Sequence, residues 1–252
     1  MYLECIKKYL SITLIIVSVI LLISYHKLLL NNDNVLFTCV AKRCEKASPL
    51  NQDGVIVLHG IFRTSSSMRS LSRFLEGSGF KVLNLNYPST KYPIEKLADM
   101  IHKDISQFAS SVTGKVHFVG YSMGGLLIRA YFNKYKPDKL GRVVMIGTPN
   151  HGSEVADFLK NFMLYKKLYG PAGQQLITNQ DGFKEIFANT DFELGIIAGN
   201  KSIDPISSKL INKPSDGKVS VDSTKLEGAK DHIVLPYSHT FFHQISKCLD
   251  KF

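Results

Sequence analysis

Ser122 is the residue of this sequence whose surroundings best suit nucleophilic chemistry. It is the centre of a Gly-x-Ser-x-Gly pattern, Gly120-Tyr121-Ser122-Met123-Gly124. A strand-like stretch precedes the pattern and a helical one follows it, which is the context that this motif requires. A sharp turn from strand to helix strains its central residue, and glycines two positions to either side relieve the crowding. The alternative is an ordinary serine at the junction of a buried strand and a helix.

A serine hydroxyl is too weakly acidic to attack alone, so a nucleophilic serine needs a histidine to take up its proton. His239 is the candidate among the eight histidines, because it follows the last predicted strand and begins the last predicted helix. A loop in that position can lean over the edge of a sheet. Two neighbours suit the role less well, since His232 starts the strand and His243 lies along the helix. The histidines predicted to be structural are His26, His102 and His117.

A carboxylate must hold the histidine in the correct tautomer, and Asp216 is the candidate for this role. It lies in Ser-Asp-Gly-Lys-Val-Ser, within a long loop that follows the strand predicted at 192–200, and Gly217 allows a tight turn behind it. Asp222 is the second candidate, and Asp204 shares the same loop. The aspartates at strand starts, the wrong end of a parallel sheet, are Asp191 and Asp231.

Two backbone N–H groups are needed to stabilise the oxyanion that forms when such a serine attacks a carbonyl. Met123 supplies one because it opens the predicted helix, and Ile61, in the loop after the first strand, is predicted to supply the other. His59 is predicted to organise that loop, not to act as a second base. The residues predicted to contact substrate are His151, Phe62 and Tyr121, although a role in loop structure stays open for His151.

Strands and helices alternate along the chain after residue 53, which predicts an α/β fold with a parallel sheet and helices on both faces. Strands are predicted at 54–60, 81–88, 115–122, 141–149 and 192–200, with the last strand inside 231–239, and helices at 65–79, 93–109, 123–136 and 240–251. The alternation lapses between 152 and 190, where many apolar residues follow a helical period. These apolar residues either pack on the core or form a lid or acyl-binding wall: Phe158, Phe162, Met163, Leu164, Tyr165, Leu168 and Tyr169.

The N-terminus contains an apolar run from Tyr9 to Tyr25, preceded by Lys7 and Lys8. A run of this length can span a bilayer, which predicts a membrane anchor over 1–30, a linker over 31–52 and one catalytic domain over 53–252. A cleaved signal peptide is the alternative. The short basic start predicts that the domain lies on the exported side. There, the cysteines at 39 and 44 could form a disulfide; in the cytosol they would be free thiols.

The net charge of +10 does not by itself point to nucleic acid. The lysines are scattered, and no basic stripe is interleaved with aromatic residues as nucleic-acid binding would require. A solvated basic surface, or one lying on anionic lipid, fits this distribution. The four cysteines are not paired with histidines at zinc spacing, so no metal site is predicted. The sequence does not define an oligomeric state.

Five segments occur in an order that resembles the α/β-hydrolase fold family: HGIF, GYSMGG, GTPNHGSEVAD, DGKVS and SHTF. The resemblance extends over about residues 53–252 and is strongest to bacterial lipases and esterases and to lipase-like proteins related to PGAP1-type hydrolases. It implies a mostly parallel sheet with a short helical cap, and a catalytic triad of Ser122, Asp216 and His239. Two departures are the tyrosine at 121, where many relatives have histidine, and a segment at 152–190 that is too short for a large lid domain.

The residues and the resemblance together predict a serine hydrolase that cleaves acyl esters, lipids among them, and that needs no metal or organic cofactor. Acyl transfer to an alcohol or thiol in place of water would use the same residues. A non-catalytic, membrane-tethered binding protein on the same fold is the third hypothesis, since a fold alone does not define a function.

Overall fold

The computed structural model describes residues 52–178, 187 and 191–241. The predicted anchor at 1–30, nearly all of the predicted linker, both cysteines of the predicted disulfide, and the C-terminal helix beyond residue 241 lie outside the described residues. Within the described part of the chain, no helix is long and apolar enough to cross a membrane.

Six parallel strands form the central sheet. They are β1 (Gly54–Leu58), β2 (Lys81–Leu85), β3 (Val116–Tyr121), β4 (Leu140–Ile146), β5 (Leu194–Gly199) and β6 (Asp231–Leu235). Their order across the sheet is β2-β1-β3-β4-β5-β6, and every neighbouring pair is parallel. The chain moves outward from β1 to β2 and then returns to place β3 on the other side of β1. Parallel sheets bind ligands at the carboxyl ends of the strands at such a switch point.

Helices connect these strands, as the alternation of patterns predicts. They are α1 (Arg69–Gly77), α2 (Ile94–Ser110), α3 (Met123–Lys134), α4 (Glu154–Leu159), α5 (Met163–Gln174), α6 (Pro205–Ile211) and α7 (Val221–Thr224). Two 3-10 turns, Ser65–Met68 and His239–Phe241, precede α1 and follow β6. The parallel sheet with connecting helices confirms the predicted fold class for the domain.

The core lies in two layers because successive side chains of a strand point to opposite faces of the sheet. On β1, Ile56 and Leu58 enter the larger cluster, which contains the apolar sides of α2 and α3. Val55 and Val57 enter the smaller cluster with Met68 and Leu71. All five residues of β1 are buried, as expected for a parallel strand that is covered on both faces.

The described part of the segment predicted as a lid or wall contains α4 and α5. A kink interrupts α5 at Gly170, whose φ of 60° is outside the helical region, and Pro171 follows it. Tyr165 is buried in the larger core cluster, and Tyr169 packs against that cluster, whereas the first residue of the helix, Met163, is exposed. This segment therefore both packs on the core and presents an apolar surface.

Candidate active site

Ser122 lies between β3 and α3, in the strained turn that the motif predicts. Its φ of 54° and ψ of −123° are in a region that L-residues rarely adopt. Two backbone hydrogen bonds hold it there: Ser122 N donates to Ile146 O at 2.8 Å, and Gly125 N donates to Ser122 O at 3.0 Å. Its side chain makes no capping bond to the helix. The hydroxyl is therefore turned towards the end of the sheet and not towards the helix backbone.

The two glycines of the motif are required by close backbone contacts. A Cβ added at Gly120 would lie 2.6 Å from the backbone N of Gly125, and one added at Gly124 would lie 2.4 Å from the carbonyl O of Leu58. Both contacts are with backbone atoms, which cannot move aside as a flexible side chain can. The strand before Ser122 and the helix after it thus approach each other, and β1, too closely for any larger residue.

His239 connects Ser122 to Asp216. Its Nε2 lies 3.0 Å from Ser122 Oγ, and its Nδ1 lies 2.7 Å from Asp216 Oδ2. Since a carboxylate oxygen can only accept, Nδ1 carries a proton, and in that tautomer of the imidazole Nε2 can accept from the hydroxyl. The backbone N–H of His239 also donates to Asp216 O at 2.9 Å. The imidazole is 14% exposed and the carboxylate side chain is fully buried, so the pair is largely shielded from water.

The loop after β5 presents Asp216 to the histidine. Its other oxygen, Oδ1, accepts the backbone N–H groups of Lys218 and Val219, each at 2.9 Å. Gly217 makes this turn possible, with a φ of 93°. These two hydrogen bonds occupy Oδ1 and leave Oδ2 directed at His239.

The loop after β1 passes directly beside the nucleophile. A Cβ added at Gly60 would lie 3.1 Å from Ser122 Cβ, so the next residue, Ile61, follows at the edge of the site. Met123 is the first residue of α3, and the first amides of a helix have no partner within it. The positive end of the helix dipole adds to this donor. Met123 thus follows Ser122 directly in the chain, and Ile61 follows a residue that contacts it; their roles as oxyanion donors stay predictions.

His59 is fully buried and fixes the shape of this loop. Its ring stacks on Tyr87, with centroids 4.0 Å apart and planes at 9°. Nδ1 lies 2.8 Å from Gly60 O and must donate to it, while Nε2 accepts the backbone N–H of Tyr87 at 3.4 Å. Both partners fit the neutral ring, and burial lowers the pKa of His59 below its usual 6.5. The prediction that His59 organises the loop fits these contacts.

Tyr121 is buried, and this position differs from its predicted contact with substrate. Its hydroxyl donates a short hydrogen bond to the carbonyl O of His239, and the two rings are 5.2 Å apart. Burial raises the pKa of Tyr121, so the hydroxyl keeps its proton and remains a donor. The prediction of substrate contact therefore does not fit, because Tyr121 lies beneath the histidine and holds its backbone.

Phe62 and His151 are the other two residues predicted to contact substrate. Phe62 has a φ of 58°, is 46% exposed, and stacks on Tyr169 of α5 with centroids 5.6 Å apart. Its backbone N–H donates to Ser89 Oγ at 3.1 Å. His151 is exposed, and its backbone N–H donates to Ser223 O at 3.1 Å. Phe62 is placed where a substrate could contact it, whereas the contacts of His151 support the loop role that the sequence left open.

The alternative candidates are placed elsewhere. Asp222 pairs with Lys225 at 2.8 Å on the surface, and Asp204 caps the N-terminus of α6 by accepting from Ile206 N and Ser207 N. His232 Nε2 lies 2.9 Å from Thr224 Oγ1. His243 lies outside the described residues. Among the residues that the structure describes, no cluster of histidine, cysteine and carboxylate side chains could hold a metal ion.

Several supporting residues could not be recognised from the sequence. Tyr87 donates its hydroxyl to His59 O, and Ser89 receives the N–H of Phe62, yet neither lies in a known motif. Tyr169 stacks on Phe62 from a separate helix. Tyr87 and Ser89 share one sequence signal, which is their position after β2 at the carboxyl edge of the sheet.

The comparisons with known proteins agree with the observed fold. A family model described as the alpha/beta hydrolase fold matches residues 54–196. The chain therefore belongs to the α/β-hydrolase family. This matched range includes the turn at Ser122 and ends within β5, before the loop that contains Asp216.

Individual relatives are distant hydrolases. The bovine (Bos taurus) protein named lysosomal thioesterase PPT2 is 23% identical over 205 residues, which are 75% of this chain and 66% of the bovine protein. The Bacillus licheniformis lipase BlEst2 in its mature form superposes with a TM-score of 0.66 at 18% identity, over 84% of this chain and 94% of that one. A metagenomic carboxyl esterase, MGS0156, superposes with a TM-score of 0.61 at 14% identity, over 78% of this chain and 67% of the esterase. At these identities the structural likeness shows the fold alone.

Proposed function

We propose that this protein is a serine hydrolase that cleaves carboxylic esters through an acyl-enzyme intermediate. The observation that carries the proposal is the continuous chain of contacts from Ser122 Oγ to His239 Nε2, at 3.0 Å, and from His239 Nδ1 to Asp216 Oδ2, at 2.7 Å. Three residues from three different loops meet in the geometry of nucleophile, base and orienting carboxylate. The alternative of a non-catalytic binding protein gives no reason for a buried carboxylate to be aimed at this histidine.

In the acylation step, His239 Nε2 takes the proton of Ser122 Oγ as the oxygen attacks the carbonyl carbon of the ester. The resulting oxyanion accepts hydrogen bonds from the backbone N–H groups of Ile61 and Met123. Asp216 stabilises the imidazolium that forms, and it keeps Nε2 directed at the serine. The protonated histidine then donates to the leaving alcohol or thiol as its bond to the acyl carbon breaks.

Deacylation repeats these steps with water. His239 removes a proton from the water that attacks the acyl carbon, and then returns a proton to Ser122 Oγ as the acid leaves. Donors such as the two backbone amides typically contribute a few kcal/mol each to lowering the barrier. Every group involved belongs to the chain itself, so the proposed reaction calls on no metal or organic cofactor.

The acyl substrate is the open part of the proposal, and two leaving groups are favoured. Lipase and esterase neighbours in structure suggest an oxygen ester, including esters of lipids. The match to lysosomal thioesterase PPT2 suggests a thioester as the second candidate. Parallel rates with a p-nitrophenyl ester and an acyl-coenzyme A of the same chain length would rank the two, and a series of chain lengths would define the acyl site.

Replacement of Ser122 by alanine tests the catalytic role. Loss of the nucleophile is expected to lower kcat on a p-nitrophenyl ester by about 10⁴-fold or more. Ser72→Ala is the matched control, because Ser72 is also buried but its Oγ donates to Met68 O within the helical segment around α1. Equal rates for the two variants would refute the assignment of Ser122.

The location of the domain belongs to the same proposal. We propose that residues 1–30 anchor the protein in a membrane and that the hydrolase domain lies on the exported side. The apolar run from Tyr9 to Tyr25 and the two lysines that precede it support this proposal. Protease added to intact cells should digest the domain, whereas digestion only after lysis would place it inside.

A further inference from the structure

The N-terminal part of α5 presents an exposed apolar surface. Met163 is 84% exposed, Leu164 is 43% exposed and Leu168 is 42% exposed. Leu164 and Leu168 are four residues apart and are therefore neighbours on the helix surface, and Met163 lies at the first position of the same helix. Tyr165 and Tyr169 lie on the other side, against the core. Large apolar residues that cluster on a helix and face solvent commonly mark a site of interaction.

This surface is joined to the rim of the active site. Tyr169 stacks on Phe62, the residue after the proposed oxyanion donor Ile61. Gly170 approaches the loop after β2 so closely that a Cβ added there would overlap the carbonyl of Thr90. These two loops add exposed aromatic residues, Phe62 at 46% and Tyr92 at 41%. We call the exposed side chains of Phe62, Tyr92, Met163, Leu164 and Leu168 the docking face.

Positive charge surrounds the docking face. Lys166 and Lys167 are exposed on α5, and Lys91 is exposed on the loop beside Tyr92. No residue of α5 is acidic. Lysines beside an apolar helix surface can extend their ammonium groups to lipid phosphates while the apolar side chains enter the acyl region. The net charge of the whole chain, +10, has the same sign.

We propose that the docking face binds an anionic lipid surface and so places the mouth of the active site against the bilayer. The inference rests on the proposed function, because it names an ester held in a membrane as the substrate. An acyl chain leaving the lipid would pass Phe62 before its carbonyl reaches Ser122. Each lysine near an anionic surface is worth about 1 kcal/mol, so loss of both Lys166 and Lys167 weakens docking on the order of 30-fold.

A single tryptophan can report this contact, because the sequence contains none. The full chain with Leu164→Trp would be reconstituted into phosphatidylglycerol vesicles and into phosphatidylcholine vesicles, each with and without a brominated lipid quencher. Val234→Trp is the matched control. Val234 is 41% exposed and lies on β6, at the opposite edge of the sheet from β2.

The proposal predicts that emission from Trp at 164 shifts to shorter wavelength and is quenched in phosphatidylglycerol vesicles, and that the control tryptophan keeps the emission of an exposed indole. The shift should be much smaller in phosphatidylcholine and should be lost with Lys166→Glu and Lys167→Glu. It should persist with Lys209→Glu and Lys230→Glu, which change the net charge equally at exposed positions on α6 and before β6. An equal shift at both tryptophans would overturn the proposal. So would a shift in phosphatidylcholine that grows with protein density, since it would assign the face to a second copy of the chain.

Hydrolysis of a water-soluble p-nitrophenyl ester separates this proposal from the proposed function. The α5 variants should hydrolyse it at the wild-type rate, because their side chains are not part of the catalytic machinery. An unshifted tryptophan at 164 in a protein that hydrolyses the ester would refute the docking and leave the hydrolase intact. A shifted tryptophan in a protein without activity would refute the hydrolase and leave the docking.

Discussion

Replacement of Tyr121 by phenylalanine should lower activity without disturbing the nucleophile directly. The hydroxyl of Tyr121 donates to the carbonyl O of His239, and the phenylalanine ring can keep the contact with the imidazole, whose centroid is 5.2 Å away. The substitution removes the hydroxyl and keeps the ring. A buried acceptor left without its donor costs about 1–3 kcal/mol. If the loop moves to recover that cost, the imidazole moves with it.

The size of the effect on catalysis follows from that range. A misplacement that raises the barrier by the same 1–3 kcal/mol lowers kcat by about 5-fold to about 150-fold. KM should change little, because the tyrosine is buried beneath the histidine and does not face the substrate. The rate of inactivation by a fluorophosphonate should fall by a similar factor, since that reaction also depends on the histidine to activate Ser122.

Tyr165→Phe is the control for a purely structural effect. Tyr165 is similarly buried, at 7% exposure, and its hydroxyl donates to Gly173 O at 2.9 Å, far along the chain from the histidine. Both variants should lose stability to urea. Only Tyr121→Phe should lose kcat and slow its inactivation. If both variants keep the wild-type kcat, Tyr121 does not position His239.

Three other perturbations test separate parts of the structure. Asp216→Asn should lower kcat on the order of 10⁴-fold because its amide would favour the wrong tautomer of the histidine, and retention of activity would exclude a triad. Gly124→Ala should lower the free energy of unfolding by about 1–3 kcal/mol through its clash with a β1 carbonyl 2.4 Å away, whereas Gly195→Ala, where a Cβ meets nothing within 4 Å, should change it by less than about 0.5 kcal/mol. Burial lowers the pKa of His59 below 6.5, so as the pH falls the unfolded chain binds a proton at this histidine before the folded chain does. The contribution of His59 to the free energy of unfolding is therefore complete above pH 6.5, and below that pH it falls by up to about 1.4 kcal/mol per pH unit. His59→Gln should reduce that slope in urea unfolding measured between neutral and mildly acidic pH, and an unchanged slope would contradict it.

The nucleophile turn and the parallel sheet could be predicted because their signals are local. The glycines around Ser122 are required by contacts within β3, β1 and α3, and the same residues form the recognisable pattern. The positions of Asp216 and His239 follow from topology, since loops after parallel strands gather at one edge. Local pattern and chain order were enough for the placement of these residues.

The ends of the strands were predicted less well, for a physical reason. The strand predicted at 81–88 ends at Leu85, and the last strand, predicted to lie inside 231–239, covers only Asp231–Leu235. Buried residues continue beyond both, as Tyr87 and Tyr237 show, because the loops at this edge pack around the site. Apolar residues that are buried beyond the last hydrogen bond of the sheet cannot be distinguished from strand residues by the sequence alone.

The loop between β5 and β6 carries a helix-start signal in its sequence. It contains α6 and α7, although its polar composition suggested only a loop. Asp204 accepts from the first amides of α6, and Pro205 occupies the first helical position. This combination is a known start of a helix. By contrast, the contact of Tyr121 with His239 joins residues 118 apart in sequence, and no local pattern encodes it.

Covalent labelling provides the most direct test of the proposed nucleophile. The full chain would be treated with a fluorophosphonate, digested, and mapped by mass spectrometry. We expect the adduct on Ser122, and we expect no labelling of Ser122→Ala. An adduct on another residue, or labelling that persists in Ser122→Ala, would contradict the proposal that Ser122, His239 and Asp216 act together.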